Sequence, residues 1–154
     1  MRPSPGSKAP DFTLLTDTGE TLTLSALEGH PVVLFFYPKD DTSGCTIEAC
    51  EFRDQFPRFA QGNAVILGVS PDGVKSHAKF KAKFQLPYAL LADTEKVVVN
   101  AYDVWKEKSM YGRKYMGVER TTFVIDANGR IAHVFEKVKP AGHAAEVQTV
   151  LDAL

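Results

Sequence analysis

An unbroken apolar run, PVVLFFYP from Pro31 to Pro38, constrains the fold more than any other stretch of the chain. A strand that is apolar at every position, instead of at every second one, is typical of a central strand covered on both faces. A second run of this kind, AVILGVS, begins at Ala64. Because each such strand needs packing on either side, the two runs predict an α/β protein whose sheet is enclosed by helices.

Shorter strands and helices alternate along the first half of the chain. DFTLLT and TLTLSAL flank a turn at residues 17–19 and predict an N-terminal β-hairpin. A helix is expected from about Ser43 to Ala60, and the interior Pro57 should bend or break it near Gln55–Phe56. PDGVKSHAKFKAKF has apolar residues on one helical face and charges on the other, which predicts an amphipathic helix, and YALLAD predicts a short strand after it.

The second half of the chain supplies the remaining elements. TEKVVVNAYDV is ambiguous, because its valines favour a strand and Thr94-Glu95 favours a helix start; we favour a short helix. RTTFVIDANGRIAHVFEK predicts two strands around a turn at residues 127–129, and GHAAEVQTVLDAL predicts a closing helix. Together the elements predict one domain, residues 1–154, with a thioredoxin-like fold: a three-layer α/β/α sandwich with a central mixed sheet and the N-terminal β-hairpin.

Composition narrows the class of protein. The chain has 154 residues, 44% of them hydrophobic and 24% charged, which is typical of a globular domain with a substantial core. A net charge of −1 gives no reason to expect nucleic acid or an anionic membrane as a partner. No apolar run approaches the ~20 residues of a membrane span and no signal peptide is visible, so we expect a cytoplasmic protein. In that compartment a thiol pair is more often catalytic or metal-binding than a structural disulfide.

The only two cysteines, Cys45 and Cys50, lie at the expected start of the helix that follows the first apolar strand. The first turn of a helix exposes unpaired N–H groups and the positive end of the helix dipole, which favour the reactive thiolate over the thiol. Lowering a thiol pKa from ~8.5 to ~6 takes roughly 3.4 kcal/mol, whereas a helix terminus typically supplies ~0.3–1 kcal/mol. A strongly activated thiolate therefore requires an Arg or Lys brought from elsewhere in the chain.

The spacing of the two cysteines limits how they can react with each other. Five residues along an ideal helix place the Cα atoms roughly 8.6 Å apart, beyond the ~7 Å limit for a disulfide. Either the two thiols never bond, or bonding unwinds the first turns of the helix. The second case describes a redox switch between a folded reduced form and a locally unfolded oxidised form.

Other interpretations of the cysteines stay open at this point. A free cysteine is often only a small buried hydrophobe. A structural zinc site needs four ligands, and the histidines are scattered without metal-like spacing, so we expect no metal and no cofactor. The C-x-x-C pair of a dithiol oxidoreductase is absent. The histidines in question are His30, His77, His133 and His143.

The cysteine segment, YPKDDTSGCTIEACEFRD, resembles the active-site stretch of the peroxiredoxins, specifically the peroxiredoxin Q or bacterioferritin-comigratory-protein group. The generic motif P-x-x-x-T/S-x-x-C is matched by Pro38, Thr42 and Cys45. KAPDF, VWKEKSMYGRKYMGVERTTFVID and the last helix are also similar to the group, so the likeness covers nearly the whole chain. The longer motif G-C-T-x-E-A-C-x-F-R-D is matched by Gly44, Cys45, Thr46, Glu48, Ala49, Cys50, Phe52, Arg53 and Asp54.

The resemblance implies a thiol peroxidase that reduces hydrogen peroxide and organic hydroperoxides. It implies that Cys45 is the peroxidatic cysteine and that Cys50 is the resolving one, with a thioredoxin-like dithiol protein as reductant. The family arginine falls on Arg120, which would supply the cation that the helix start lacks. Members of the group are usually monomeric, so we expect a monomer.

The resemblance also implies roles around the peroxidatic cysteine. The hydroxyl of Thr42 would hydrogen-bond the peroxide or the thiolate, Pro38 would shield the site, and backbone N–H groups at Gly44 and Cys45 would complete the peroxide-binding hole. Each has a plainer alternative, because Pro38 could end the strand, Thr42 could be an N-cap and Arg120 could be a surface charge.

The sequence leaves three further points open. Glu48 and Arg53 are expected on one helix face, where they orient each other or the site, or form a surface pair. Trp105 and Tyr111 either line the entrance or serve as packing. A redox sensor or chaperone-like protein that uses the Cys45–Cys50 switch is the alternative function.

Overall fold

The computed structural model describes residues 2–154, and within that range it contains two β-sheets and four α-helices. The strands are β1 (Thr13–Thr16), β2 (Thr21–Thr23), β3 (Val32–Phe36), β4 (Val65–Ser70), β5 (Ala89–Ala92), β6 (Trp105–Met110), β7 (Arg113–Val118), β8 (Thr121–Ile125) and β9 (Ile131–Phe135). The helices are α1 (Ser43–Gln61), α2 (Val74–Phe84), α3 (Val97–Ala101) and α4 (His143–Asp152), and a short 3-10 helix covers Leu24–Leu27.

The main sheet has seven strands in the order β2-β1-β5-β4-β3-β8-β9. β3, β4 and β5 run parallel to one another, whereas β8 and β1 pair antiparallel with the two ends of this central group. The mixed sheet and the N-terminal β-hairpin predicted from the sequence are thus confirmed. The apolar run from Pro31 to Pro38 contains β3, which lies between β4 and β8 and is buried at every position.

Successive side chains of β3 point to opposite faces of the sheet and enter two separate cores. Val33 and Phe35 belong to the core that is covered by α1, α2 and α4. Leu34 and Phe36 belong to the core on the other face, which is covered by α3, the 3-10 helix and the N-terminal segment. The layered arrangement of helices around a sheet is therefore also confirmed.

Helix α1 runs without a break from Ser43 to Gln61, so of the bend or break predicted near Pro57 the break is wrong. Proline in a helix removes the N–H that would bond the carbonyl four residues earlier. Here Phe52 and Phe59 are buried in the same core on either side of the proline. Their packing holds the helix together where one backbone hydrogen bond is missing.

The short helix preferred for TEKVVVNAYDV is confirmed as α3, and the hairpin around residues 127–129 is confirmed as β8 and β9. One element was not predicted. β6 and β7 pair antiparallel with each other and form a two-stranded sheet apart from the main one. Most of their side chains are exposed or half-buried. This hairpin borders the site described next.

Candidate active site

The site begins where β3 ends and α1 starts. Thr42 is the N-cap of α1, and the first helical hydrogen bond runs from the Thr46 N–H to the Thr42 carbonyl at 2.8 Å. The N–H groups of Gly44 and Cys45 precede this bond, so the helix itself provides no acceptor for them. They face the end of the helix where an anion is stabilised.

Cys45 is buried in this first turn, with only 1% of its surface exposed. The guanidinium of Arg120 approaches it from the connection between β7 and β8, and its Nη2 lies 3.3 Å from Cys45 Sγ. Burial lowers the pKa of Arg120, but the neighbouring Glu48 and Cys45 outweigh burial and leave the pKa raised. The arginine is therefore a permanent cation in contact with the sulfur.

Gly44 leaves the space that this contact needs. A Cβ at this position would lie 3.2 Å from Arg120 Nη2 and 3.4 Å from Cγ of Pro140. Contacts in this range are tighter than ordinary van der Waals packing, so a larger residue would push against the guanidinium. The glycine of the sequence motif thus permits the arginine to reach the sulfur.

Glu48 lies one helical turn after Cys45 and binds the other side of the same guanidinium. Arg120 Nη1 donates to Glu48 Oε1 at 2.7 Å, and the glutamate side chain is fully buried. Its second oxygen, Oε2, has no hydrogen-bond partner among residues 2–154. Burial raises the pKa of Glu48 to about 7, although the guanidinium opposes the shift.

His143, at the start of α4, lies behind Glu48. Its Nε2 is 4.0 Å from Glu48 Oε2 and 2.7 Å from the hydroxyl oxygen of Thr122. Burial lowers the pKa of His143 to about 4, and repulsion from Arg120 adds to the shift. At neutral pH the imidazole is uncharged, so the contact with Glu48 is not an ion pair.

Thr42 and Pro38 lie on the loop between β3 and α1. The Thr42 hydroxyl donates to the Lys39 carbonyl at 2.9 Å and makes no N-cap bond to the helix. With its hydrogen directed to that carbonyl, the hydroxyl oxygen still has free acceptor capacity. Pro38 is half-buried and lines a cavity described below.

A buried polar network that sequence reasoning missed anchors this loop. Asp40 accepts hydrogen bonds from the Tyr37 hydroxyl at 2.6 Å and from the Ser76 hydroxyl at 2.7 Å, and its Oδ2 lies 2.8 Å from Nδ1 of His77. Burial raises the pKa of Asp40, but these partners, His77 first, outweigh it and lower the pKa overall. The partners come from the end of β3 and from α2, so the network ties the loop carrying Pro38 and Thr42 to two fixed elements.

Arg53 does not join the site. Its guanidinium pairs with Asp54 at 2.9 Å and donates to the Phe84 carbonyl at 2.8 Å. The expectation that Glu48 and Arg53 share a helix face and orient each other is therefore wrong. Five residues along a helix turn by about 140° beyond one revolution, which directs Glu48 into the core and Arg53 toward α2.

Cys50 is half-buried, and both cysteines are free within one intact helix. Burial raises the pKa of Cys50 above that of an ordinary thiol, although Arg53 opposes the shift. The structure thus represents the reduced form, in which an ideal helix separates the two Cα atoms by roughly 8.6 Å.

A cavity of about 380 Å³ opens beside Pro38, between its loop and the β6–β7 hairpin. Trp105 lines it, whereas Tyr111 at the tip of the hairpin is 98% exposed and lies outside it. Lys108 also lines the cavity and was missed by sequence reasoning. The only sequence signal for it was its place inside the segment VWKEKSMYGRKYMGVERTTFVID. The hairpin side of the cavity consists of Trp105, Lys108, Tyr115, Met116, Gly117 and Val118.

The described residues contain neither a metal-binding cluster nor a helix that could span a membrane. Within residues 2–154, no group of three or more His, Cys, Asp or Glu side chains is arranged to hold a metal ion. Over the same residues, no helix combines the length and the apolar character needed to cross a bilayer.

Comparison with known proteins assigns the family. The AhpC/TSA family matches residues 5–134. The chain belongs to this family. It is 53% identical over 148 residues to peroxiredoxin Bcp of Bacillus subtilis (strain 168), covering 96% of this chain and 94% of that protein. Peroxiredoxin Bcp of Escherichia coli (strain K12) is 38% identical over 138 residues, covering 90% and 88%.

Solved structures agree with the sequence relatives. Peroxiredoxin Q of Xanthomonas campestris, solved as a cysteine-to-serine mutant, superposes with a TM-score of 0.91 at 42% identity, covering 97% of this chain and 98% of that one. The thioredoxin-like fold and the placement in the peroxiredoxin Q or bacterioferritin-comigratory-protein group are thereby confirmed. The protein is a peroxiredoxin-type peroxidase.

Proposed function

We propose that the protein reduces hydrogen peroxide and organic hydroperoxides at Cys45, closes a disulfide to Cys50, and is recycled by thioredoxin or a similar dithiol protein. The observation that carries the proposal is the Arg120 guanidinium, which lies 3.3 Å from Cys45 Sγ at the start of a helix. This arrangement supplies the cation that a helix terminus alone lacks.

In the first step the Cys45 thiolate attacks the terminal oxygen of the hydroperoxide. A sulfur–oxygen bond forms, the oxygen–oxygen bond breaks, and the products are a sulfenic acid and an alkoxide or hydroxide that takes up a proton. Negative charge spreads from sulfur to the leaving oxygen, and Arg120 with the N–H groups of Gly44 and Cys45 would stabilise it. Thr42 would accept a hydrogen bond from the terminal O–H of the peroxide, and Pro38 would limit the access of water.

In the second step Cys50 condenses with the sulfenic acid, releasing water and forming the disulfide. Both residues lie in α1, so the first turns of the helix must unwind before the two sulfurs can meet. Within the chain Cys50 is the only second thiol available.

In the third step an external dithiol reduces the disulfide by thiol–disulfide exchange. This recycling requires a thiol-reducing compartment, which favours the cytoplasm. One chain contributes Thr42, Cys45 and Arg120, so we propose that a monomer suffices. The relative from Xanthomonas campestris, a bacterioferritin comigratory protein, has structures of a trapped intermediate and ligand complex that concern its alkyl peroxide reduction activity.

Two serine variants test the proposal. Cys45→Ser should abolish peroxide consumption, because no thiolate remains at the helix start. Cys50→Ser should consume about one equivalent and then stall with thioredoxin present, because the sulfenic acid has no resolving partner. Peroxide consumption is followed together with the mass of the protein, which should show one added oxygen in Cys50→Ser. Normal turnover by Cys45→Ser would overturn the assignment of the peroxidatic cysteine.

The alternative, a redox sensor or chaperone-like protein, shares the Cys45–Cys50 switch but not the need for rapid turnover. No contact in the site favours it, and the proteins to which the chain is similar are peroxiredoxins. Steady-state turnover with thioredoxin distinguishes the two functions.

A further inference from the structure

Lys108 is a cation without an assigned role in the cavity beside Pro38. It lies on β6 opposite Tyr115 of β7 and lines the same cavity as Pro38. Its aliphatic stem packs over Gly117, where a Cβ would come within 3.3 Å of Lys108 Cδ. Because Gly117 has no side chain, the aliphatic part of Lys108 can pack against the hairpin instead of extending into solvent.

The charge of Lys108 has no partner of its own. Two other lysines of the hairpin pair with carboxylates, Lys106 with Asp103 at 2.7 Å and Lys114 with Glu107 at 3.6 Å. Lys108 is half-buried, yet no carboxylate lies within ion-pair distance of it and no hydrogen bond engages its ammonium within residues 2–154. A partly buried ammonium that forms no ion pair loses part of its hydration without compensation, which costs folding free energy.

The charged groups that act on Lys108 include the reacting sulfur and the arginine beside it. Burial lowers the pKa of Lys108 and repulsion from the Arg120 guanidinium lowers it further, whereas attraction to the Cys45 sulfur and to Glu119 opposes the shift. The ammonium thus lies within the field of the two groups that meet at the start of α1. A lowered pKa makes an ammonium a better proton donor near neutral pH.

The proposed first step needs a proton that the other residues of the site do not provide. Arg120 does not release its proton at physiological pH. The Thr42 hydroxyl already donates to the Lys39 carbonyl. Glu48 is fully buried, with one oxygen bound to Arg120 and the other 4.0 Å from His143, and it does not line the cavity that Lys108 and Pro38 share. Lys39, the other lysine at the cavity, is exposed to solvent.

We propose that Lys108 is a catalytic acid, which protonates the leaving oxygen as the oxygen–oxygen bond breaks. The inference rests on the proposed peroxidase function. Cys45 gives the electron pair that bonds to the terminal oxygen, the bond electrons move to the leaving oxygen, and the proton passes from the Lys108 ammonium to that oxygen. Sulfenic acid, alcohol or water, and a neutral amine are formed, and the amine regains its proton from solvent.

The leaving group of the peroxide provides the test. tert-Butyl hydroperoxide leaves as an alkoxide, which needs a proton, whereas peracetic acid leaves as a carboxylate, which does not. Second-order rate constants for sulfenic acid formation are measured in a Cys50→Ser background by stopped flow with mass spectrometry, so that resolution and thioredoxin play no part. Lys108→Met is compared with Lys108→Arg, which keeps the charge without an available proton. Lys114→Met, an exposed lysine on the same hairpin, is the matched control.

Lys108→Met should lose about 10- to 100-fold toward tert-butyl hydroperoxide, near the lower range for general acids because solvent reaches the cavity, and less than about twofold toward peracetic acid. Lys108→Arg should remain slow with the alkyl hydroperoxide, and Lys114→Met should match the parent with both. Equal losses toward both peroxides, no loss, or full recovery by arginine would each overturn the inference. If the Cys50→Ser parent itself formed no sulfenic acid, the proposed function would have failed instead.

Discussion

The first turns of α1 contain two thiols in unlike settings. We call Ser43–Glu48 the Cys45 end and Ala49–Asp54 the Cys50 end. At the Cys45 end the sulfur is buried and contacts a guanidinium that also binds a buried carboxylate. At the Cys50 end the thiol is half-buried and the hydrogen bonds involve backbone carbonyls. Arg53 donates to the carbonyl of Phe84 at the end of α2, and Tyr88, in the segment after α2, donates to the carbonyl of Ala49.

The difference shows how one helix can separate two chemical tasks. Charge is concentrated where a thiolate is needed, and the pKa of Cys50 is raised by burial, so the second thiol stays protonated while the helix is folded. A protonated thiol is a poor nucleophile toward peroxide. What restrains Cys50 is the backbone of its own helix, and that restraint must be released before the disulfide can form.

The largest expected effect comes from breaking the charge contact at the Cys45 end. Arg120→Met should slow sulfenic acid formation by about 10²–10³-fold, because removal of one preorganised donor from an anionic transition state typically has that cost. The matched variant at the Cys50 end is Arg53→Met, which removes a guanidinium from the same helix region and should change this rate by less than about threefold. Stopped-flow rates measured in the Cys50→Ser background check both. Similar losses in the two variants would mean that the overall positive charge around the helix, and not the specific contact with the sulfur, drives the reaction.

The second prediction concerns stability at the Cys45 end. In the folded protein Glu48 keeps its proton up to a pKa of about 7, whereas in the unfolded chain it loses the proton near the ordinary glutamate pKa of 4.5. Between these values the folded state binds more protons, so the stability contributed by Glu48 falls as the pH rises. Glu48→Gln removes this loss. Its advantage over the wild type in free energy of unfolding should therefore grow by about 3 kcal/mol between pH 4.5 and pH 7.5.

His143 has the opposite effect on the pH dependence of stability, so the wild type and Glu48→Gln should differ in their slopes. Its pKa falls from 6.5 to about 4 on folding, so the folded state binds fewer protons in that interval and stability is lost as the pH falls. In the wild type the two slopes largely cancel between pH 4.5 and 6.5. In Glu48→Gln only the His143 slope remains, so stability should rise with pH. Urea unfolding across this range measures both slopes, and a constant difference between the two proteins would show that Glu48 titrates normally.

The contrast between the two ends also explains what the sequence could and could not predict. The strand before the site, the helix start and the position of Cys45 follow from local patterns, namely an apolar run and the residues directly after it. Arg120 is 75 residues away in the chain. The free energy needed to lower the thiol pKa indicated that a cation was required, but it could not identify the residue. Only the family resemblance indicated this arginine.

Contacts between distant segments account for what the sequence analysis missed. His143 behind Glu48 and His77 beside Asp40 are set by how helices pack on the sheet, which no local period encodes. The β6–β7 hairpin has few buried positions, so its sequence lacks the apolar runs that predicted the other strands. The position of Lys108 depends in turn on the bare Gly117 of the neighbouring strand.

The smallest expected effect lies at the Cys50 end, where the Tyr88 hydroxyl donates to the Ala49 carbonyl at 2.7 Å. Burial raises the pKa of Tyr88 well above its usual value, so the hydroxyl remains a donor at any working pH. A buried hydrogen bond contributes about 1 kcal/mol net, so Tyr88→Phe should increase the unwound population and the rate of disulfide formation about fivefold. Mass spectrometry after one equivalent of peroxide, with thiols trapped at intervals, gives this rate.

Tyr102→Phe is the matched control for Tyr88→Phe. Its hydroxyl also donates to a backbone carbonyl, that of Pro10 at 2.6 Å, but on the face of the sheet opposite α1. Both variants should lose global stability, and only Tyr88→Phe should speed the disulfide, while sulfenic acid formation stays unchanged in both. If Tyr102→Phe accelerated closure equally, the helix would open by loosening of the whole domain. Acceleration confined to Tyr88→Phe would mean that the Cys50 end is released locally while the charged Cys45 end governs only the reaction with peroxide.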